Sequence, residues 1–371
     1  FLALLILAGA AYYGLHKFDV PGKIRSGQLA FDPSNPLHPL KPPLPSPTPT
    51  RAPASYLEEA EARYKAGRLT EASQAYAAVS ALEPNNAEAL QWQAWLLILR
   101  GRPTEAVPLA RKAVDIKDSA MNLGVLAMAL DWSEKYDEAI DYALKAVDKD
   151  PMLAEAHAFL AEVYADKNNG GRAWEEAQTA IKLNPNSPIA QRNLGYLYER
   201  QGRYRDALAA YAKAADLGPQ LGYIHISAGN TYQAMADFPN ALTEFQKAAD
   251  ANPDSPVGAD QLGHAAAVSG DTDRALVVLK KAIQIDPTYG PAYAHLGSVY
   301  YSRYNYESAI TNFKKAFDLG VRSEEYYYEL GLCYIYLDDC ENGKVWMQKA
   351  LEINPDSKPA RDGLNSATCK K

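Results

Sequence analysis

Cysteine is nearly absent: three among 371 residues cannot hold a fold together. No serine or cysteine stands in a nucleophile motif, and neither a glycine-rich phosphate loop nor a Cys-x-x-Cys pair occurs. Catalysis is therefore not expected, no cofactor is implied and no metal ligand is assigned. Carboxylate pairs such as Glu58-Glu59 read as exposed helix faces. Blocks of like charge are missing too. With a net charge of −7 and both signs mixed along the chain, there is no concentrated basic surface to neutralise phosphates. That argues against nucleic acid as a partner.

What is there begins with an uncharged run, FLALLILAGAAYYGL. As a helix these residues cover about 22 Å, short of the roughly 30 Å hydrocarbon core. Because the chain opens without Met, residues 1–19 are read as a single-pass membrane anchor that starts upstream. Tyr12, Tyr13, His16 and Lys17 then fall at the interface. The alternative is the tail of a cleavable secretory signal, since Ala8-Gly9-Ala10 fits a small-residue cleavage site. The expected localisation is a membrane, with the rest of the chain extracytoplasmic. Residues 20–53 follow, including DPSNPLHPLKPPLPSPTPTRAP, too rich in proline for helix or sheet. They read as an extended linker of about 3.1 Å per residue. It is either a plain spacer or a segment whose Leu37, Leu40 and Leu44 dock into the chain's own groove or a partner.

Residues 54–355 change character again. Over 188–221, Leu194, Gly195 and Tyr198 share one helical face, and Ala207, Tyr211 and Ala214 share the next, with a tight turn at Gln201–Arg203. Such a hairpin cannot bury its stripe alone, so it must stack on copies. The copies recur about every 34 residues, punctuated by Pro84, Pro151, Pro185, Pro219, Pro253, Pro287 and Pro355. Among them are Ala228-Gly229-Tyr232 with Ala241, Phe245 and Ala248; Leu262-Gly263 with Ala275, Leu279 and Ala282; and Leu296-Gly297-Tyr300 with Ala309, Phe313 and Ala316. The phase slips once, by one residue, near Ser119.

This pattern resembles the tetratricopeptide repeat. The resemblance implies an all-α, right-handed superhelical solenoid of antiparallel helix pairs, here nine tandem units. Glu59-Ala60 and Arg63 in the first unit, and residues 356–371 after the last, read as solvated caps and a tail. Cys333 and Cys340, across the turn of the last unit, are either a disulfide or two small buried thiols. His157 and His225 stand where the family places a large packing residue.

In this family the first helix of each repeat lines a concave groove. That implies an apolar docking stretch at Trp92, Trp95, Ile98, Leu99, Met121, Val125, Met128, Trp132 and Phe159, suited to a helix or extended segment of another protein. Arg192, Asn193, Tyr196, Arg200, Tyr223, Asn230 and Gln233 are expected donors to a peptide backbone. Asp260, His264, His295, Glu325 and Glu329 occupy the positions of the family's carboxylate clamp with the sign reversed, so the chaperone-tail function is not carried over. They suit a basic peptide, a metal held by the two imidazoles and a carboxylate, or plain solvation. The expected function is a non-catalytic, membrane-anchored protein-interaction scaffold. The alternative is a structural subunit of an envelope or secretion assembly whose groove is permanently filled.

Overall fold

The structure, a computed structural model, describes residues 51–365. The anchor expected at 1–19, nearly all of the linker expected at 20–53 and the end of the tail lie outside these residues. The expected single-pass membrane localisation is corrected: among the described residues no helix is long and apolar enough to cross a membrane. The longest helices have 14 residues, about 21 Å at 1.5 Å per residue.

Nineteen α-helices and no strand occur among the described residues. They are α1 (Pro53–Lys65), α2 (Leu69–Leu82), α3 (Ala87–Leu99), α4 (Pro103–Ile116), α5 (Ala120–Asp131), α6 (Tyr136–Lys149) and α7 (Ala154–Asp166). Then come α8 (Gly170–Leu183), α9 (Pro188–Arg200), α10 (Tyr204–Leu217), α11 (Gly222–Ala234), α12 (Phe238–Ala251) and α13 (Pro256–Val268). The series ends with α14 (Thr272–Ile285), α15 (Gly290–Ser302), α16 (Tyr306–Asp318), α17 (Glu324–Tyr336), α18 (Cys340–Ile353) and α19 (Lys358–Asn365). Successive helices from α1 to α18 pair into hairpins that stack in order, and α19 covers the last one.

Each hairpin reverses on one left-handed residue: Gly67, Gly101, Glu134, Asn168, Gly202, Ala236, Gly270, Tyr304 and Asp338. These sit 34 positions apart except for the 33 between Gly101 and Glu134, which is the slip expected near Ser119. A left-handed residue lets the helix end on a backbone bond from just beyond it, as Arg203 N does to Tyr198 O at 2.9 Å. Alanine is strained in that conformation. Ala236→Gly is therefore expected to stabilise the array by roughly 0.5–1 kcal/mol, net of the extra unfolded-state entropy. Thermal unfolding checks it, with Asn168→Gly as the comparison expected to change little, since asparagine tolerates this region.

Within each hairpin, small residues admit a large one. A Cβ on Gly195 would meet the Tyr211 ring at 2.6 Å, so the glycine is what lets α9 and α10 close on Tyr211. The alanines beside it, Ala207 and Ala214, are fully buried.

The array also meets itself. The turn after α1 packs on the end of α12: Asn252 Nδ2 donates to Gly67 O at 3.1 Å. Asp254 Oδ2 accepts from the Thr70 and Glu71 amides at 2.9 and 3.1 Å. Asp254 thus caps α2, which has no side-chain cap of its own. One hairpin on, Arg100 and Arg102 lie 3.6 and 3.5 Å from Asp286. The first and second hairpins are in this way latched to the sixth and seventh.

Candidate functional site

Curling this tightly brings the inner faces of the first helices against one another. Trp95 on α3 lies 6.0 Å from Phe159 on α7 and edge-on, at 6.5 Å, to Tyr223 on α11. Trp132, following α5, reaches the same Tyr223 at 6.2 Å. Trp95, Met128 and Phe159 are buried, while Met121 and Trp132 are half-buried and pack on the same core. The open apolar groove expected across the second to fourth hairpins is therefore corrected: the chain's own side chains fill it, because Tyr223 closes over them.

The polar residues of the inner wall are engaged in the same way. Arg192 on α9 is buried, its Nη1 donating to Glu162 Oε1 at 2.5 Å and to Asn193 Oδ1 at 3.0 Å. Its guanidinium lies over the rings of Tyr196, Tyr223 and Trp132 at 5.3, 5.4 and 6.0 Å. Asn193 donates to Ala158 O at 2.7 Å, and the Tyr196 hydroxyl donates to Asp166. These three residues, expected as donors to a peptide, tie α9 to α7 instead. Asn230 is exposed. Asp131 faces the same network, and burial, with Glu162 and Asp166 beside it, pushes its carboxyl up to about 9.

Further along, the residues of the inverted clamp do come together. Asp260 is buried and its Oδ1 lies 2.7 Å from His295 Nδ1. The His264 ring stacks on His295 at 4.3 Å, and Tyr326 meets His295 edge-on at 6.1 Å. Burial, then the charge of His295, lowers His264 to about 4. Burial opposes ionisation of His295 as well, but Asp260 outweighs it and raises the pKa. His295 Nδ1 is thus engaged by a carboxylate, and the His264 ring packs on the resulting pair. Glu329 accepts from Ser298 Oγ at 2.6 Å. His157 and His225 are satisfied packing residues, 2.6 and 2.7 Å from Glu176 and Glu244.

Room for a ligand remains at the start of the array. A cleft of about 450 Å³ is lined by Leu57, Glu58, Glu61, Tyr64, Lys65, Tyr76, Glu88 and Trp92, with Gln220 from beyond the fifth hairpin. Trp92 stacks on Tyr76 at 5.8 Å and is met by Tyr64 at 5.1 Å. Glu61 is paired with Lys65 at 2.6 Å. Glu58 and Glu88 are exposed, and their side chains have no hydrogen-bond or ion-pair partner among the described residues. Half-buried Trp92 and Tyr64 over the buried Tyr76 ring, with carboxylates at the rim, are complementary to a cation on an apolar stem. Of this set the sequence assigns a binding role only to Trp92, and Glu58 reads as an exposed helix face. Tyr64 and Tyr76 lie on the stripes of a hairpin read as a cap, and Gln220 joins them only because the array closes.

Models of the tetratricopeptide repeat match residues 57–120 and 168–221, 292–323 and 324–357. A photosystem I assembly protein, Ycf3, of Synechococcus sp. (strain CC9902) is 31% identical over 132 residues, which are 34% of this chain and 70% of that protein. The chain belongs to the tetratricopeptide-repeat family. A second match, human protein O-mannosyl-transferase TMTC1, is 30% identical over 161 residues, 42% of this chain and 18% of that protein. This chain thus spans less than a fifth of that relative. Two solved structures share the tetratricopeptide fold. One is the APC/C hetero-tetramer Cut9-Hcn1, with a TM-score of 0.61 at 18% identity, covering 86% of this chain and 64% of that one. The other is yeast Tom70, with a TM-score of 0.54 at 13% identity, covering 85% and 88%. In this tetratricopeptide array the Cys333 thiol is buried and free, so the Cys333–Cys340 pairing does not form.

Proposed function

We propose that this tetratricopeptide-repeat protein is a non-catalytic scaffold that docks a basic segment of another protein at the Trp92 cleft. The observation that carries the reading is the cleft itself: a half-buried tryptophan flanked by two tyrosines, with the carboxylates of Glu58 and Glu88 unengaged at its mouth. Aromatic anchors beside uncommitted charge are the composition of energetic centres in protein interfaces. The filled interior of the array speaks for this outer docking point over an axial one. The assembly role named for the Synechococcus relative supports a scaffold. The transferase activity named for the human relative belongs to an enzyme of which this chain covers 18%.

Binding of the full chain to an array of random peptides tests the reading. Enrichment for Lys or Arg next to apolar residues is expected. Glu58→Lys with Glu88→Lys, both on exposed helix positions, is expected to invert the charge preference and leave helicity unchanged. Trp92→Ala is expected to weaken capture by roughly 2 kcal/mol or more, as loss of a hot-spot tryptophan does. Equal retention of acidic and basic peptides, unaltered by the charge reversal, would sink the proposal.

A further inference from the structure

Three carboxylates meet inside the wall where the third hairpin stacks on the fourth. Asp131 ends α5, and Glu162 and Asp166 lie one turn apart on α7. One oxygen from each lies within 4.8 Å of the other two. Asp131 is 2% exposed, and neither of its carboxylate oxygens has a hydrogen-bond partner. Its neighbours leave acceptors over. Arg192 Nη1 and Trp132 Nε1 converge on one oxygen of Glu162, Oε1, and Tyr196 uses Oδ1 of Asp166. Arg192 pairs with Glu162, and neither Asp131 nor Asp166 has an ion-pair partner among the described residues. A buried carboxylate left that way calls for either a proton or a cation.

We propose that Asp131, Glu162 and Asp166 bind a hard divalent cation of the calcium type. The donor set is oxygen alone, which suits calcium, magnesium or manganese and gives copper or zinc no nitrogen or sulfur. Calcium takes oxygens at about 2.3–2.6 Å, so ligands on opposite sides stand about 5 Å apart. The 4.8 Å span of this group fits that spacing. Magnesium, with bonds of about 2.0–2.1 Å, would need the carboxylates to draw together. Only Asp166 of the three is part-exposed, whereas Asp131 and Glu162 are buried. That opening suits a single ion better than the side chain of a partner. The bound ion joins α5 to α7, and through Arg192 and Tyr196 it stiffens α9 as well.

The test uses the full chain, freed of metal by a chelator, and calcium, magnesium and manganese chlorides as probes in calorimetry and thermal unfolding. Calcium at millimolar concentration is expected to bind at one site per chain, to raise the unfolding temperature by several degrees and to alter the fluorescence of Trp132. Asp131→Asn keeps the side-chain shape and removes the charge. It is expected to stay helical and to lose about tenfold or more in ion affinity. Asp166→Asn, still able to accept from Tyr196, is the second variant should the first not fold. A chain that takes up none of the three ions, or whose affinity is the same in the folded variant, overturns the proposal. In the first case the cluster is held by a shared proton. In the second the ion sits elsewhere.

Discussion

Gly67→Ala is expected to part the seam between the first and sixth hairpins, while Gly202→Ala leaves it closed. The two glycines have matching backbones, with φ of 71° and 72°, so the left-handed strain of alanine, about 1–2 kcal/mol, is common to both. They differ in surroundings. A Cβ on Gly202 meets nothing within 4 Å, whereas one on Gly67 falls within the contact distance of the Ala251 carbonyl oxygen. That backbone cannot retreat without pulling Asn252 from the Gly67 carbonyl and Asp254 from the Thr70 and Glu71 amides. At about 1 kcal/mol for each hydrogen bond, Gly67→Ala adds about 3 kcal/mol to the common strain. Hydrogen exchange at the Thr70 and Glu71 amides reads the seam directly, and small-angle scattering reads the dimensions of the array. Identical exchange in the two variants would show that the latch does not hold in solution.

The second large effect is expected at Arg192. Its pair with Glu162 has side chains that are 10% and 5% exposed, and the guanidinium also packs on three rings. Arg192→Met leaves Glu162 buried without its ion-pair partner, beside Asp131 and Asp166. Removing one partner of a buried pair typically costs about 3–5 kcal/mol, mostly for the charge left behind. Urea unfolding followed by tryptophan emission is expected to show a loss of that order, partly restored when Glu162→Gln is added. The exposed pair Arg203–Asp206, with side chains 49% and 51% exposed, is the control. Arg203→Met is expected to change stability by less than about 1 kcal/mol. A loss at Arg192 no greater than at Arg203 would mean that the inner wall is wetter than its packing indicates.

The period of the fold was legible because it is written in local chemistry. Gly195 must admit Tyr211, and prolines end second helices. A one-residue slip near Ser119 reappears as the shortened step between Gly101 and Glu134. The lining was legible as a set of positions but not as a state. Trp95, Met128, Phe159 and Arg192 do face inward, yet whether they meet solvent or Tyr223 depends on how tightly the array curls. That curvature accumulates from small rotations between neighbouring hairpins, each set by packing that a residue pattern does not resolve. For the same reason Asp254 and Asp286 read as ordinary loop residues after a helix. Their partners, Thr70 and Arg102, stand 184 positions away along the chain. The Asp260, His264 and His295 group was found because it falls within one repeat and the next, where the spacing fixes proximity. Asp131 was missed because its importance lies in what it fails to touch.

Open solenoids can gain or lose a unit, since every unit touches only its neighbours. Here Asp254 must arrive beside Thr70, and Asp286 beside Arg102, after a fixed amount of winding. Excising one internal hairpin in register would deliver each aspartate a full unit out of place, and duplicating one would overshoot by as much. Copy number between the two sides of the seam is therefore a structural constant of this protein, although each copy taken alone is interchangeable.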